Sequence, residues 1–341
     1  MELSTINFPR PDIDRHKHLC YNFSHRPQKR EVSRLKTRSF RNPALLLLTA
    51  LIWGVAFVAQ KDGMNYIEPF TYTGIRSIMG GVALLIVLPA LDKLRDRDGS
   101  FEKGSRKNIL TGGVLCGVVL FAGSMLQQYG IALQDPATNV GKAGFITACY
   151  CAVVPVMGLF IKRKSPLLVW LGVAVAVTGF FFLCLMDGLA AGQGLGLGKS
   201  DLLLLFCALA FSVHILVIDR FSPLADGVRL SCVQFLVCGV LCLPFMFIFE
   251  NPQMSNILAC WLPLTYAGVM SSGVAYTLQV VAQKGVHPAV ASLLLSLESV
   301  FSVLAGYVLM PGSGLSRWEI FGCVLVFAAV IMVELAPQKE H

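Results

Sequence analysis

Four ionisable side chains stand inside long apolar stretches of the sequence: Arg76, Lys142, His214 and Glu298. An ionised group at the centre of a membrane-spanning helix costs roughly 2.5–3.5 kcal/mol on insertion scales, so each needs a compensating role. For Glu298 that role could be proton coupling, a carboxyl out of bulk water that loads and releases a proton. Its structural alternative is a pair with Lys142 or Arg76, or a cap on a helix break. Arg76 could hold an anionic group, or its long side chain could snorkel to the interface. Lys142, with Thr138 and Asn139 on its face, has the same two readings. His214 can change protonation near neutral pH and so gate a path, or it can be a hydrogen-bonded packing residue.

Uncharged polar residues extend the pattern. Ser272, Tyr276, Gln279 and Gln283 recur at i, i+4, i+7 and i+11, one stripe down one helix face. Lipid would not tolerate that stripe, so it lines a water-filled cavity or bonds to neighbouring helices. Gln127 stands at a position equivalent to Gln279 in an earlier stretch. Trp53, Phe57 and Gln60 share a face that could stack on the apolar part of a ligand, or simply pack.

The elements that must position these residues are membrane-spanning. The chain has 341 residues, 55% hydrophobic and 14% charged, against about 25% charged in a soluble domain. Its apolar blocks of about 18 to 25 residues match a hydrocarbon layer of roughly 30 Å. They predict helices over 44–61, 70–91, 108–131, 138–161, 166–186, 200–218, 228–249, 257–282, 288–310 and 316–335. Residues 1–42 are polar and basic and carry no early apolar stretch, so no cleavable signal peptide is expected. They read as a disordered or surface-bound cytoplasmic tail.

Charge sets the orientation. Of the 28 Lys and Arg residues, 23 fall in the tail, the loops after even-numbered helices and Lys339. Only Lys61, Lys199 and Arg317 fall in the opposite loops, and Arg76 and Lys142 lie within helices. Basic residues collect on the cytoplasmic side, so both termini are expected there. The net charge of +8 is therefore topology rather than a nucleic-acid footprint.

The halves also repeat. Leu126, Gln127, Pro136 and Ala137 stand 152 positions before Leu278, Gln279, Pro288 and Ala289, and Ala50, Leu51 and Val55 stand 158 before Ala208, Leu209 and Val213. Two units of five helices follow, residues 43–190 and 198–336. Five being odd, the second enters the membrane from the opposite face. The fold class is thus all-α integral membrane, ten transmembrane helices in two inverted repeats.

Several short stretches carry a family resemblance. They are Ile52-Trp53-Gly54, Gly74-Ile75-Arg76, Leu126-Gln127-Gln128-Tyr129-Gly130 and Gly141-Lys142-Ala143-Gly144-Phe145 in the first half. The second half adds Asp201-Leu202-Leu203, Phe211-Ser212-Val213-His214, Ala275-Tyr276-Thr277-Leu278-Gln279 and Ser296-Leu297-Glu298-Ser299-Val300-Phe301. From Pro43 onward the sequence resembles the drug/metabolite transporter superfamily, in its ten-helix branch with two EamA-type repeats. It departs from the family pattern where Ser299 replaces a proline, and where Met310-Pro311-Gly312-Ser313-Gly314 replaces an acidic turn. The resemblance implies a secondary transporter, chiefly an exporter, of metabolites, amino acids or drugs through a central cavity between the repeats. Trp53, Phe57, Gln60, Arg76, Gln127, Lys142, Ser272, Tyr276 and Gln279 are the candidate substrate-cavity residues, with Glu298 and His214 for proton coupling or gating.

Other classes fit less well. A flippase for a lipid-linked sugar or phosphate would need a lateral opening and a basic headgroup site, which Arg76 and Lys142 could supply. An intramembrane protease lacks its motif: Met270 stands where Gly-x-Ser-Gly would need glycine, and no buried aspartate pair exists. No Walker sequence is present, and the glycine-rich 192–198 reads as a flexible connection. The eleven cysteines show no zinc spacing. The expectation is no catalytic residue, no metal and no cofactor. The partners are a small-molecule solute, the lipid bilayer of a bacterial inner membrane and protons, with no nucleic acid, in a monomer or homodimer.

Overall fold

The computed structural model describes residues 28–97, 105–134, 140–162, 164–186, 189, 192, 198–310 and 316–334. Among these, ten helical segments follow one another. They are α1 (Gln28–Gly63), α2 (Pro69–Arg97), α3 (Arg106–Ala132), α4 (Val140–Phe160), α5 (Leu167–Cys184), α6 (Lys199–Phe221), α7 (Gly227–Phe249), α8 (254–283), α9 (Pro288–Leu309) and α10 (Arg317–Glu334). Seven are long and apolar enough to cross a membrane, and Leu167–Leu183 is a shorter apolar helix. The other two are α8, which contains wide turns, and α10, whose 18 residues hold Arg317, Glu319 and Glu334.

The expected starts and ends agree with these to within a few residues, except at the end of α2, which runs on from 91 to Arg97, and at the start of α1. This helix begins at Gln28, inside the segment expected to be a disordered tail. The run from Gln28 to Asn42 contains no glycine or proline and holds six Lys and Arg residues, which favour helix. Pro136, Ala137, Thr138, Asn139, Pro311–Gly314 and most of 192–198 lie outside the described residues, as does the tail before Gln28.

Apolar and polar faces are reversed relative to a water-soluble bundle. Ile86, Phe160 and Val308 are 72%, 85% and 74% exposed, as a lipid-facing surface requires. Gln60, Arg76, Gln128, His214, Gln234, Gln279, Gln283 and Glu298 are buried. Small residues allow helices to approach closely, as lipid-embedded packing demands. A Cβ on Gly54 of α1 would lie 2.7 Å from the carbonyl carbon of Phe301 in α9.

Two sets of hydrogen bonds show the inverted repeat directly. Asp92 at the end of α2 takes the Arg229 guanidinium near the start of α7 at 2.6 Å. At the other end, Glu250 after α7 accepts from the backbone N–H groups of Phe70 and Thr71 and from the Thr71 hydroxyl, all at 2.7 Å. Residues 71 and 92 stand 158 positions before 229 and 250, so each acid is the repeat mate of the other. The carboxylate of Glu250 also meets the partial positive charge of a helix N-terminus. Both ends of the antiparallel α2/α7 pair are thereby stapled. In the second set, Gln128 of α3 donates to the Gln60 carbonyl at 3.2 Å, and Gln283 of α8 donates to the Ile215 carbonyl at 2.7 Å. Residues 60 and 128 stand 155 before 215 and 283.

Repeat mates α4 and α9 are both interrupted near their middles. The second halves begin at Tyr150 and Glu298, after Cys149 (φ −57, ψ −12) and Leu297 (φ −59, ψ −13). In α9 no proline is needed. Ser292, Ser296, Ser299 and Ser302 each donate their hydroxyl to the carbonyl three residues back, competing with the regular backbone ladder.

Candidate solute cavity

Between the repeats lies a cavity of about 30 Å³, room for roughly two waters. From α1, Trp53, Ala56, Phe57 and Gln60 form one wall. Arg76 of α2, Gln127 of α3 and Tyr150 of α4 complete the contribution of the first half. The second half supplies Phe211, His214 and Ile215 from α6, Ser271, Tyr276 and Gln279 from α8, and Glu298 from α9. The two carbonyls held by Gln128 and Gln283 thus belong to residues lining the cavity, Gln60 and Ile215.

Of the residues singled out from sequence, Trp53, Phe57, Gln60, Arg76, Gln127, Tyr276, Gln279, His214 and Glu298 are brought together here. Ser272 and Lys142 are not. Counting back from Tyr276 by an α-helical turn gives Ser272, but α8 is a π-helix over Tyr266–Ala275. Its wider turn points Ser271 into the cavity and presses Ser272 against α2, where a Cβ on Gly80 would lie 2.7 Å from Ser272 Cβ. Lys142 instead pairs with Asp201 of α6 at 2.9 Å.

The cavity has one aromatic side. The Trp53 and Tyr276 rings are 4.5 Å apart between centroids, tilted by 54°. Tyr276 also meets the edges of Phe235 and His214 at 5.2 and 6.0 Å. The His214 ring is fixed by Gln234 of α7, Nε2 to Oε1 at 3.1 Å. Gln127 reaches Thr147 at 3.4 Å.

The rest of the lining is polar and incompletely paired. Among the described residues, Trp53 Nε1, Arg76 Nε, Gln60 Oε1, Gln279 Oε1 and Glu298 Oε1 are buried with no hydrogen-bond partner. Arg76 is 4% exposed and its guanidinium lies 5.9 Å from the Tyr72 ring; among the described residues no acid pairs with it. Glu298 is 3% exposed, and the Tyr150 hydroxyl stands beside its carboxyl without completing a hydrogen bond. Each buried polar atom left without a partner costs about 1–3 kcal/mol. Donors and acceptors gathered in one space at that cost fit a site whose partner is a polar ligand or water. Tyr150 carries no sequence signal of its own; only its equivalence to Glu298 at the paired interruptions marks it.

Comparison with known proteins agrees with this architecture. Residues 43–185 and 198–335 each match the model of the EamA-like transporter family. The chain belongs to that family. An uncharacterized transporter of Archaeoglobus fulgidus is 30% identical over 296 residues, covering 85% of this chain and 84% of the relative. The uncharacterized transporter YoaV of Bacillus subtilis is 22% identical over 84% of this chain and 94% of its own. The uncharacterized inner membrane transporter YedA of Escherichia coli is 24% identical over 84% of this chain and 88% of its own. A solved crystal structure at 19% identity matches with a TM-score of 0.64, covering 85% of this chain and 95% of that one, and shares the fold. The EamA repeats meet across the cavity, and membership points to a transporter of a small molecule rather than an enzyme.

Proposed function

We propose that this protein is a secondary transporter of the inner membrane that exports a small polar metabolite, amino acid or drug by alternating access. Both termini lie in the cytoplasm, on the side of the basic loops. The observation that carries this reading is the cavity, walled by both inverted repeats and lined by unpartnered donors and acceptors with one cation and one carboxyl. Arg76 receives an anionic group of the solute, Trp53 and Tyr276 its apolar part, and Gln60, Gln127 and Gln279 its remaining polar atoms. Glu298 couples the cycle to protons, with His214 beside the path. About 30 Å³ holds no such solute, so binding requires the repeats to part and then close around it.

A flippase would need a basic headgroup site. Lys142 is already paired, which leaves Arg76 as the only Lys or Arg among the lining residues. That favours a compact solute over a lipid-linked phosphate.

The test is uptake and counterflow in proteoliposomes across a panel of amino acids, small carboxylates and cationic drugs, with and without a pH gradient. At least one solute should move faster than in protein-free liposomes and saturate. No flux above that baseline for any class, together with movement of a lipid-linked sugar, would reverse the assignment.

A further inference from the structure

Lys142 Nζ lies 2.9 Å from Asp201 Oδ1 and 3.1 Å from Oδ2, an ion pair between α4 of the first repeat and α6 of the second. The Asp201 side chain is 6% exposed and that of Lys142 31%. Asp201 also accepts the Gly198 N–H at 3.1 Å, so the carboxylate caps α6 whether or not the lysine is present. Both residues sit at the end of the bundle opposite the basic loops. Nearby, Ser200 donates to the Gly130 carbonyl at 2.7 Å.

Among the described residues, the repeat-equivalent positions at the other end hold no such pair. Val290 stands where the α4/α9 interruptions place the mate of Lys142, and Leu46 stands 155 positions before Asp201, the offset shared by the paired Gln128 and Gln283 bonds. What links α1 to α8 there is a neutral, exposed hydrogen bond, Asn42 Nδ2 to the Lys284 carbonyl at 3.1 Å. The Asp92–Arg229 and Glu250–Thr71 contacts differ in kind: they occur at both ends and hold α2 to α7, favouring neither. The outer half of α4, Val140–Ala148, is packed in the bundle and set off from the rest of the helix by the interruption at Cys149, a place where a helix can hinge.

We propose that the Lys142–Asp201 pair is a one-sided latch that closes the cavity at the end away from the basic loops, so that the empty carrier opens first toward the basic, cytoplasmic end. The proposal rests on the alternating-access reading, but its test needs no solute. Amide hydrogen exchange is followed by mass spectrometry on the full chain in lipid nanodiscs, for native protein and for Lys142→Met, Asp201→Asn, the double variant and Lys142→Arg. Asparagine keeps an acceptor for the Gly198 N–H, so the cap of α6 survives. Each single variant should exchange about tenfold faster over 140–148 and 199–205, with 284–292 unchanged. The double variant should be no faster than either single one, because both remove the same interaction, and Lys142→Arg should stay near native. Unchanged exchange in both single variants, equal acceleration at 284–292, or additive effects in the double variant would overturn the latch. A native protein that latches in this assay yet carries nothing in liposomes would remove the transport reading alone.

Discussion

Glu298→Gln is expected to leave exchange of solute across the membrane intact while abolishing its accumulation against a gradient driven by pH. Glutamine matches the carboxyl in shape and keeps an acceptor where Glu298 Oε1 now faces the cavity unpartnered, but it cannot take up or release a proton. One proton moved per solute would let the native carrier build about a tenfold concentration ratio per pH unit, since 1.4 kcal/mol corresponds to a factor of ten. The variant should fall to a ratio near one at the same gradient. If accumulation by Glu298→Gln equals that of native protein, the carboxyl has a structural role at the α9 interruption and another group carries the coupling. Tyr150→Phe gives the companion measurement, because it removes only the hydroxyl beside the carboxyl. Its accumulation ratio should persist while the pH dependence of the rate moves.

Arg76→Met should weaken binding of an anionic solute more than any other single change in the cavity. The guanidinium is buried, lies beside the Tyr72 ring and has no acid partner among the described residues, so its compensating charge is expected to come with the ligand. Removing one member of a buried charged contact costs about 2 kcal/mol or more, a factor of about thirty in affinity. Isothermal titration with the solute found in the liposome panel reads this directly. Arg76→Lys should recover only part of the loss, because an ammonium lacks the planar fork. Native affinity in Arg76→Met, with a lowered melting temperature, would make Arg76 a packing residue.

Much of the fold was legible because the physics of a bilayer is coarse. Apolar stretches near bilayer length, seven of them long enough as helices, and an asymmetric distribution of Lys and Arg leave few alternatives, and buried polar residues in such stretches must converge. Finer geometry was not legible. Short sequence matches place the α1/α6 and α3/α8 relations at 158 and 152 positions, whereas the paired bonds of Gln128 and Gln283 share an offset of 155, about one turn from each. A helix looks much the same after one turn, so a few matched residues cannot fix its register. The same limit hid Ser271, since periodicity assumes 3.6 residues per turn and α8 winds more widely over Tyr266–Ala275. Lys142 was drawn toward the cavity because its partner, Asp201, lies 59 residues on at the start of another helix. Tyr150 had nothing to distinguish it from any aromatic in an apolar run. Conversely, the interruption of α9 survives replacement of the family's proline by Ser299, because a series of serines bonding backward serves the same end.

Alternating access requires that one polar cavity between the repeats be reached from each side of the membrane in turn. Ser271 lines it, and a cysteine there would be small enough to keep the helix in place. The decisive measurement is labelling of Ser271→Cys, relative to the native cysteines, by a membrane-impermeant maleimide in right-side-out and in inside-out vesicles. Additional labelling is expected from both sides, slowed in each case by the transported solute. Labelling from neither side, or from only one side whatever solute is present, would contradict it.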